Sequence, residues 1–203
     1  MLPLSDKQKE YLNKRKVNII KGDWETVFNT KRNPPGGIGS ILHSVNIPFL
    51  DTLSYIPREA FKHNTELEAI FIPKSINTIH YHAFYGCGAL KDVIFENNST
   101  LTKIGFQAFI YCSMLKSIKL PESLETIELG AFSHCISLES IVLPRSLRKI
   151  EPGIFDKCSN LKKIEYMGTT EEFNKLFKIL PKLDHICTVN CINGQIITPI
   201  SNK

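Results

Sequence analysis

One arrangement of apolar residues recurs five times along the chain, anchored on Phe61, Phe84, Phe109, Phe132 and Phe155 at steps of 23, 25, 23 and 23 residues. A small residue or Ile precedes each anchor (Ala60, Ala83, Ala108, Ala131, Ile154), and Asn64, Cys87, Cys112, Cys135 or Cys158 follows three positions later. Leu67, Leu90, Leu115, Leu138 and Leu161 lie six after the anchor, and Ile70, Val93, Ile118, Ile141 and Ile164 nine after it. Leu53, Ile76, Leu101, Leu124 and Leu147 lie eight before it, and Ile56, Ile79, Ile104, Ile127 and Ile150 five before it. A 23-residue unit with one apolar face cannot bury that face alone, so the period predicts a solenoid whose core runs along a stack of coils. The segment Leu-x-x-Ile-x-Leu, often followed by Pro (Pro73, Pro121, Pro144), predicts one short strand per coil, with side chains alternating in and out and equivalent strands paired in parallel. Leu42, Val45 and Ile47 have the same spacing and predict a preceding rung, for about six rungs in all. The two extra residues near Asn97 and Asn98 fall at a bend after a strand, where a longer loop costs little, so the stack is expected to continue undisturbed.

The run Ala-Phe-x-x-Cys-x-x-Leu-x-x-Ile-x-Leu-Pro-x-x-Leu-x-x-Ile resembles the BspA-like leucine-rich repeats. The resemblance covers roughly Ile41 to Tyr166, and Tyr166-Met167-Gly168-Thr169-Thr170-Glu171-Glu172-Phe173 is similar to the segment that closes such arrays. Asn64 in place of Cys, and Gly153-Ile154 in place of the usual small residue, depart from the pattern at its two ends, where terminal repeats are atypical. The resulting fold class is an α+β repeat protein, a short leucine-rich-repeat solenoid with a parallel β ladder, a helical N-terminal cap and a helix-plus-hairpin C-terminal cap. The expected divisions are 1–37 for the N-terminal cap and linker, 38–168 for the solenoid and 169–203 for the C-terminal cap.

Exposed end coils would present apolar core and unpaired strand edges, so both ends need covering. At the front, Ser5 with Gln8 forms a capping-box signature for a helix running to about Lys16, and Asp23 caps a second short helix bearing Trp24, Val27 and Phe28. Pro34-Pro35-Gly36-Gly37 separates this module from the ladder. At the back, Thr170 to Leu180 predicts a helix with Phe173, Leu176, Phe177 and Leu180 on one face, ending before Pro181. Asn193-Gly194 predicts a two-residue hairpin turn.

Composition narrows the chemistry. The chain of 203 residues is 42% hydrophobic and 22% charged, which suits a globular core. Of the formal charge of +5, a net of +4 belongs to Met1–Asn33, leaving the ladder nearly neutral. The basic run Lys14-Arg15-Lys16 raises nucleic-acid association as an alternative, but Asp6, Glu10, Asp23 and Glu25 dilute it, no DNA-reading motif accompanies it, and a solvated helical cap is the favoured account. The start of the chain is too polar for the apolar middle of a secretory signal, which points to the cytoplasm, or to a host cell's cytoplasm for a phage- or effector-encoded chain. Four of the six cysteines occupy one inward repeat position and are expected as buried, reduced packing residues. Cys187 and Cys191 lack a second pair at zinc spacing, leaving a surface thiol or a pairing within the hairpin. His80-x-His82 has no third ligand at metal spacing and reads as exposed turn residues. No phosphate loop, nucleophile elbow or paired-carboxylate motif is present, so neither enzyme activity nor a cofactor is expected.

In a solenoid the variable outward positions carry function, because the inward ones are consumed by packing. The register names Asn46, Phe71, Ile94, Lys119 and Val142 as outward ladder residues, with Phe71 and Ile94 side by side as an apolar patch. The competing account is that the N-terminal module or a flanking loop folds over those two. A second row, three before the anchor, holds Arg58, Tyr81, Phe106, Leu129 and Pro152; Tyr81 and Phe106 are expected to stack on the opposite side, as a self-packing ladder or as another contact surface. The expected function is a non-enzymatic protein-binding scaffold, an intracellular adaptor or inhibitor with a protein partner. The family resemblance implies surface adhesion or host contact as the alternative.

Overall fold

The computed structural model describes residues 53–176 and 187–197, together with the backbone of Asn18–Ile19 and Val45–Asn46. The expectations for the N-terminal helices, the Pro-Gly linker, the basic run and the end of the C-terminal helix lie outside the described residues. The described chain is a parallel-strand β-solenoid of about five turns with little helix. Each coil contributes two short strands rather than the one expected, because the inward Ile five before each anchor also sits on a straight segment that pairs with its equivalent in the next coil.

The first ladder is continuous: β3 (Tyr55–Ile56), β5 (Thr78–Ile79), β7 (Lys103–Ile104), β9 (Thr126–Ile127) and β11 (Lys149–Ile150) pair in parallel, with Ile56, Ile79, Ile104, Ile127 and Ile150 in register. The second ladder runs from β1 (Asn18–Ile19) and β2 (Val45–Asn46) to β4 (Ala69–Ile72) and β6 (Asp92–Phe95), where it stops. It resumes as β8 (Ser117–Lys119), β10 (Ser140–Leu143) and β12 (Lys163–Tyr166), then the hairpin β13 (Thr188–Cys191) and β14 (Gly194–Ile197). Val45 pairs with Ile70, as the repeat spacing requires, whereas β1 at Asn18–Ile19 is a rung that no repeat spacing announces.

The interruption corrects the expectation about the insertion. The unit carrying Asn97 and Asn98 is the one after β6, and no ladder pairing joins β6 to β8 among the described residues. A cleft of about 380 Å³ opens there, lined among others by Ile94, Phe95, Asn98, Lys119 and Pro121. The first ladder and the anchor column pass the same point unbroken. The slack is therefore absorbed on one side of the coil only.

The turn around each anchor forms a third line of bonds. Backbone N–H groups two before, at, and two after the anchor donate to carbonyls of the next coil, as in Gln107 to Leu129 (3.0 Å), Phe109 to Ala131 (2.8 Å) and Tyr111 to Ser133 (3.1 Å). The residues two before and two after every anchor adopt left-handed backbone: Glu59, His82, Gln107, Gly130 and Gly153 on one side, His63, Gly86, Tyr111, His134 and Lys157 on the other. For a non-glycine residue this costs on the order of 1 kcal/mol, and the bonds to the next coil hold it there.

Inside, the anchor rings form a column, with centroids 5.1, 4.8, 5.3 and 6.3 Å apart along the chain. The widest step is the last, where Ile154 stands in the place of Ala. Each repeat cysteine is buried, and its thiol donates to the carbonyl of the preceding anchor: Cys87 to Phe61 (3.0 Å), Cys112 to Phe84 (3.3 Å), Cys135 to Phe109 (3.2 Å) and Cys158 to Phe132 (3.1 Å). Asn64 serves its own turn instead, its Oδ1 accepting from the N–H groups of Glu66 (3.1 Å) and Leu67 (2.9 Å).

After the last coil comes α1 (Thr170–Leu176), opened by a reciprocal cap in which Thr169 N–H donates to Glu172 Oε2 (2.9 Å) and Glu172 N–H to Thr169 Oγ1 (3.2 Å). The hairpin turn is Ile192-Asn193, one residue earlier than expected, because Cys191 pairs with Gly194. Asn193 Oδ1 then accepts from Thr170 N–H at 2.9 Å, tying the hairpin to the start of α1.

Two measurements test this packing. Phe109→Ala should lower the unfolding free energy by about 3–5 kcal/mol through an internal cavity, read from denaturant titration. Burial pushes the thiols of Cys87 and Cys158 up to about 12, and those of Cys112 and Cys135 well above the usual range. An unfolded thiol ionises near ~8.5, so above that pH the unfolded chain binds fewer protons than the native one. The thiols' contribution to stability should be constant below that pH and fall as pH rises toward 12, by up to about 1.4 kcal/mol per unit per thiol. Cys112→Ala should make the fall shallower; an unchanged slope would contradict the assignment.

Candidate functional site

The residues from three before to five after the anchor form the outer turn of each coil. In coils two to four these are residues 81–89, 106–114 and 129–137, and none of the 27 is Asp, Glu, Lys or Arg. A chain that is 22% charged would place about six charges in that many positions. Twelve of the positions are buried, so the deficit falls on the remaining surface. Coil one carries Arg58, Glu59, Lys62 and Glu66 in the corresponding span, and coil five carries Asp156 and Lys157. An uncharged central face is thus framed by charged end coils.

This face is also apolar. Tyr81 is 37% exposed, Phe106 39%, Leu129 42% and Tyr111 43%, and Met114 and Ile136 are exposed beside them. Their placement follows from the backbone. Glu128 and Glu151, each four before its own anchor, reach back to the preceding coil, where Oε2 accepts from the N–H groups of Phe106 (2.8 Å) and Leu129 (2.9 Å). Lys149, by its hydrogen bond, and then the Leu129 N–H hold the Glu151 carboxyl below its ordinary range. With the backbone clasped at those two points, the Phe106 and Leu129 side chains point outward, whereas Tyr81 has no such clasp because Gly105 stands where the carboxylate would be.

Tyr81 and Phe106 do not form a ring pair of their own, contrary to the expected direct stack. His82 stands between them, its ring 5.4 Å from each, and its Nε2 lies 2.9 Å from Gln107 Oε1. The chain of rings continues through Tyr85 to Tyr111 (5.7 Å) and on to His134 (4.5 Å). On the edge of the wall, Arg58 Nη1 donates to Tyr81 Oη at 3.3 Å, and Lys62 Nζ lies 5.6 Å from the centre of the Tyr85 ring. The hydrogen bond from Lys62 holds the Glu59 carboxyl below its usual range.

The ladder residues are placed differently. Phe71 pairs with Ile94, as expected, but Phe71 is only 8% exposed, which corrects its reading as an open apolar anchor. Ile94 is half-buried and faces Lys119 across the cleft rather than across a paired rung. Lys119 pairs with the half-buried Val142, and Asn46 is described only as a backbone position on β2. Asp92, Lys163 and Glu165 keep this face charged. The two His-x-His residues part company: His80 is exposed against Tyr55 (5.2 Å), while the left-handed backbone at His82 turns it into the aromatic wall, half-buried rather than the open turn residue expected. Among the described residues no group of three or more His, Cys, Asp or Glu gathers where a metal ion could be held.

The comparisons agree with the coil geometry. A BspA type leucine rich repeat region, in six copies, matches residues 39–162 and 95–187. The chain belongs to this BspA-type leucine-rich-repeat family. A T. pallidum leucine-rich repeat protein is 34% identical with a TM-score of 0.51, over 53% of this chain and 50% of that one. A leucine rich cell surface protein from Faecalibacterium prausnitzii A2-165 is 34% identical with a TM-score of 0.58, over 61% and 32%. A leucine-rich repeat protein from Bacteroides ovatus is 30% identical with a TM-score of 0.55, over 66% and 32%. The match spans half or less of each of these structures. No protein of curated function matches the chain. The family and its fold are those of generally non-enzymatic scaffolds, and leucine-rich-repeat proteins typically bind protein partners.

Sequence reasoning singled out Tyr81 and Phe106 but missed the wall they belong to. The available signal was the charge-free stretch in three successive turns. If these side chains were needed by the fold, replacing them would be costly. Phe106→Asn and Leu129→Asn, each at an exposed position, should instead change the unfolding free energy by less than about 1 kcal/mol. A loss as large as that of a core Phe would assign the wall to stability.

Proposed function

We propose that this BspA-type chain is a non-catalytic scaffold that binds a protein partner through the uncharged aromatic wall on the outer turns of coils two to four. The observation that carries the reading is the combination of apolar exposure with complete absence of charge, framed by charged coils. Protein interfaces have this anatomy: a core depleted in charge and enriched in Tyr, Phe and Met, surrounded by a polar rim. Aromatic residues in such a core supply much of the binding energy. The coil-to-coil bonds hold the wall rigid before binding, which limits the ordering cost of association. The chain would act as an adaptor or inhibitor, covering a surface of its partner without chemistry of its own.

A second reading places the same wall outside the cell. The Faecalibacterium neighbour's description as a cell surface protein favours it. Protease treatment of intact native cells separates the two, since only a surface-displayed chain is digested.

The wall itself is tested by affinity capture from native cells with two folded double variants. Tyr81→Asp with Leu129→Asp should reduce partner recovery at least about tenfold, as expected when hot-spot contacts are replaced by charge. Ile94→Asp with Val142→Asp, on the ladder face, should leave recovery unchanged. The opposite pattern would move the binding function to the ladder.

A further inference from the structure

We infer that the break in the second ladder is a latched conformational joint: β6 and β8 carry facing rows of backbone groups able to pair, and the inserted segment, fastened to coil one, keeps them apart. The inference does not depend on the reading of the outer wall.

The direction of the backbone groups follows from the bonds on either side of the cleft. Asp92 N–H donates to Glu68 O (3.3 Å) and Glu96 N–H to Ile72 O (2.9 Å), both back toward coil one. Successive residues of a strand alternate in direction, so the N–H groups of Val93 and Phe95 aim the other way, across the cleft toward coil three. Leu120 N–H donates to Val142 O (3.0 Å) on coil four, so Ser117 and Lys119 aim back at coil two. Among the described residues no ladder bond joins these two rows, although β4 pairs with β6, and β10 with β12, at the same repeat positions. Closure would satisfy the facing groups and cover the half-buried side chains of Ile94 and Phe95.

A slipped contact holds the segment after β6 away from that closure. Ser123 and Ser146, nine before their anchors, donate to the carbonyl eight before the preceding anchor, that of Leu101 (2.8 Å) and Leu124 (2.6 Å). Thr100 occupies the same position, but its hydroxyl donates to Lys74 O (2.6 Å), two residues short of the equivalent Ile76. Thr100 N–H shares that carbonyl (3.3 Å), and Glu96 Oε2 accepts from Lys74 N–H (2.9 Å). Both backbone groups of Lys74 are thus taken by the segment after β6, which draws that segment onto coil one. Asn97 and Asn98 supply the length for the slip and stand exposed on the rim of the cleft. Coils two and three stay bonded through the first ladder and the anchor turn, so movement at the junction is confined to this side.

Amide hydrogen exchange resolved by residue tests the joint. In the unaltered chain the N–H groups of Ser117 and Lys119 should exchange at least about tenfold faster than those of Ile118 and Leu120, which alternate with them and face coil four. Glu96→Ala with Thr100→Val releases Lys74 and should slow Ser117 and Lys119 by at least about tenfold, with Ile118 and Leu120 unchanged. Deletion of Asn97 and Asn98, which restores the 23-residue step, should do the same. Circular dichroism of each variant confirms the fold. Equal protection of all four amides in the unaltered chain would mean that the ladder is already closed, and rapid exchange of Ser117 and Lys119 persisting in both variants would mean that no closed arrangement is accessible. Either result overturns the inference. Slowing by the deletion alone overturns the latch, since length and not the hold on Lys74 would then keep the strands apart.

Discussion

In the described coils each anchor ring packs on its own equivalent, one coil away, at close to the spacing that backbone hydrogen bonds impose. Strands in a ladder lie about 4.8 Å apart, and everything else must fit that repeat. The anchor rings fit it by lying nearly parallel at 4.8–5.3 Å through the first four coils. The cysteine thiols fit it because a small side chain can reach the carbonyl of the preceding Phe while filling the space behind the ring. The left-handed residues flanking each anchor fit it too: they aim three N–H groups per turn at the next coil, and the bonds formed offset the conformational cost.

The insertion after β6 shows how the constraint behaves when a coil is longer than its neighbours. Two residues of extra loop are entropically cheap, so the stack survives. The cost appears in pairing, because a strand ladder requires adjacent coils to place the same segment at the same height. The anchor turn and the first ladder keep their spacing, and the second ladder gives way, leaving the cleft at Ile94 and Lys119. Length tolerance in this solenoid is therefore local to one side.

The period, the inward residues and the strand registers were legible because each depends on positions 23 or 25 apart that must be alike to stack. Val45 could be aligned with Ile70 from spacing alone. What was illegible depends on relations outside the period. The shallow exposure of Phe71 is set by tertiary neighbours, and alternation along a strand assigns direction without saying what lies above. The parting of His80 and His82 follows from a left-handed residue that no propensity rule places at a histidine. The hairpin shifted by one residue because Asn193 is drawn to the Thr170 N–H, an interaction between elements 23 positions apart. By contrast, the Thr169-x-x-Glu172 cap was present in the sequence and fixes the start of α1.

The wall is best weighed against what folding alone would select. A solenoid needs apolar residues at the inward positions of every coil and polar ones wherever water reaches, and the ladder face follows that rule at Asp92, Ser117, Lys119, Lys163 and Glu165, with Ile94 and Val142 half-buried among them. The outer turns of coils two to four break it three times in succession. At Tyr111 the breach is double, since this exposed side chain also occupies left-handed backbone that glycine adopts without strain, as Gly86 does in the equivalent place. Exposed apolar side chains where solvation favours a charge are what the proposed protein contact would account for. The wall's lack of charge sets the kind of contact proposed for it: shape and apolar area.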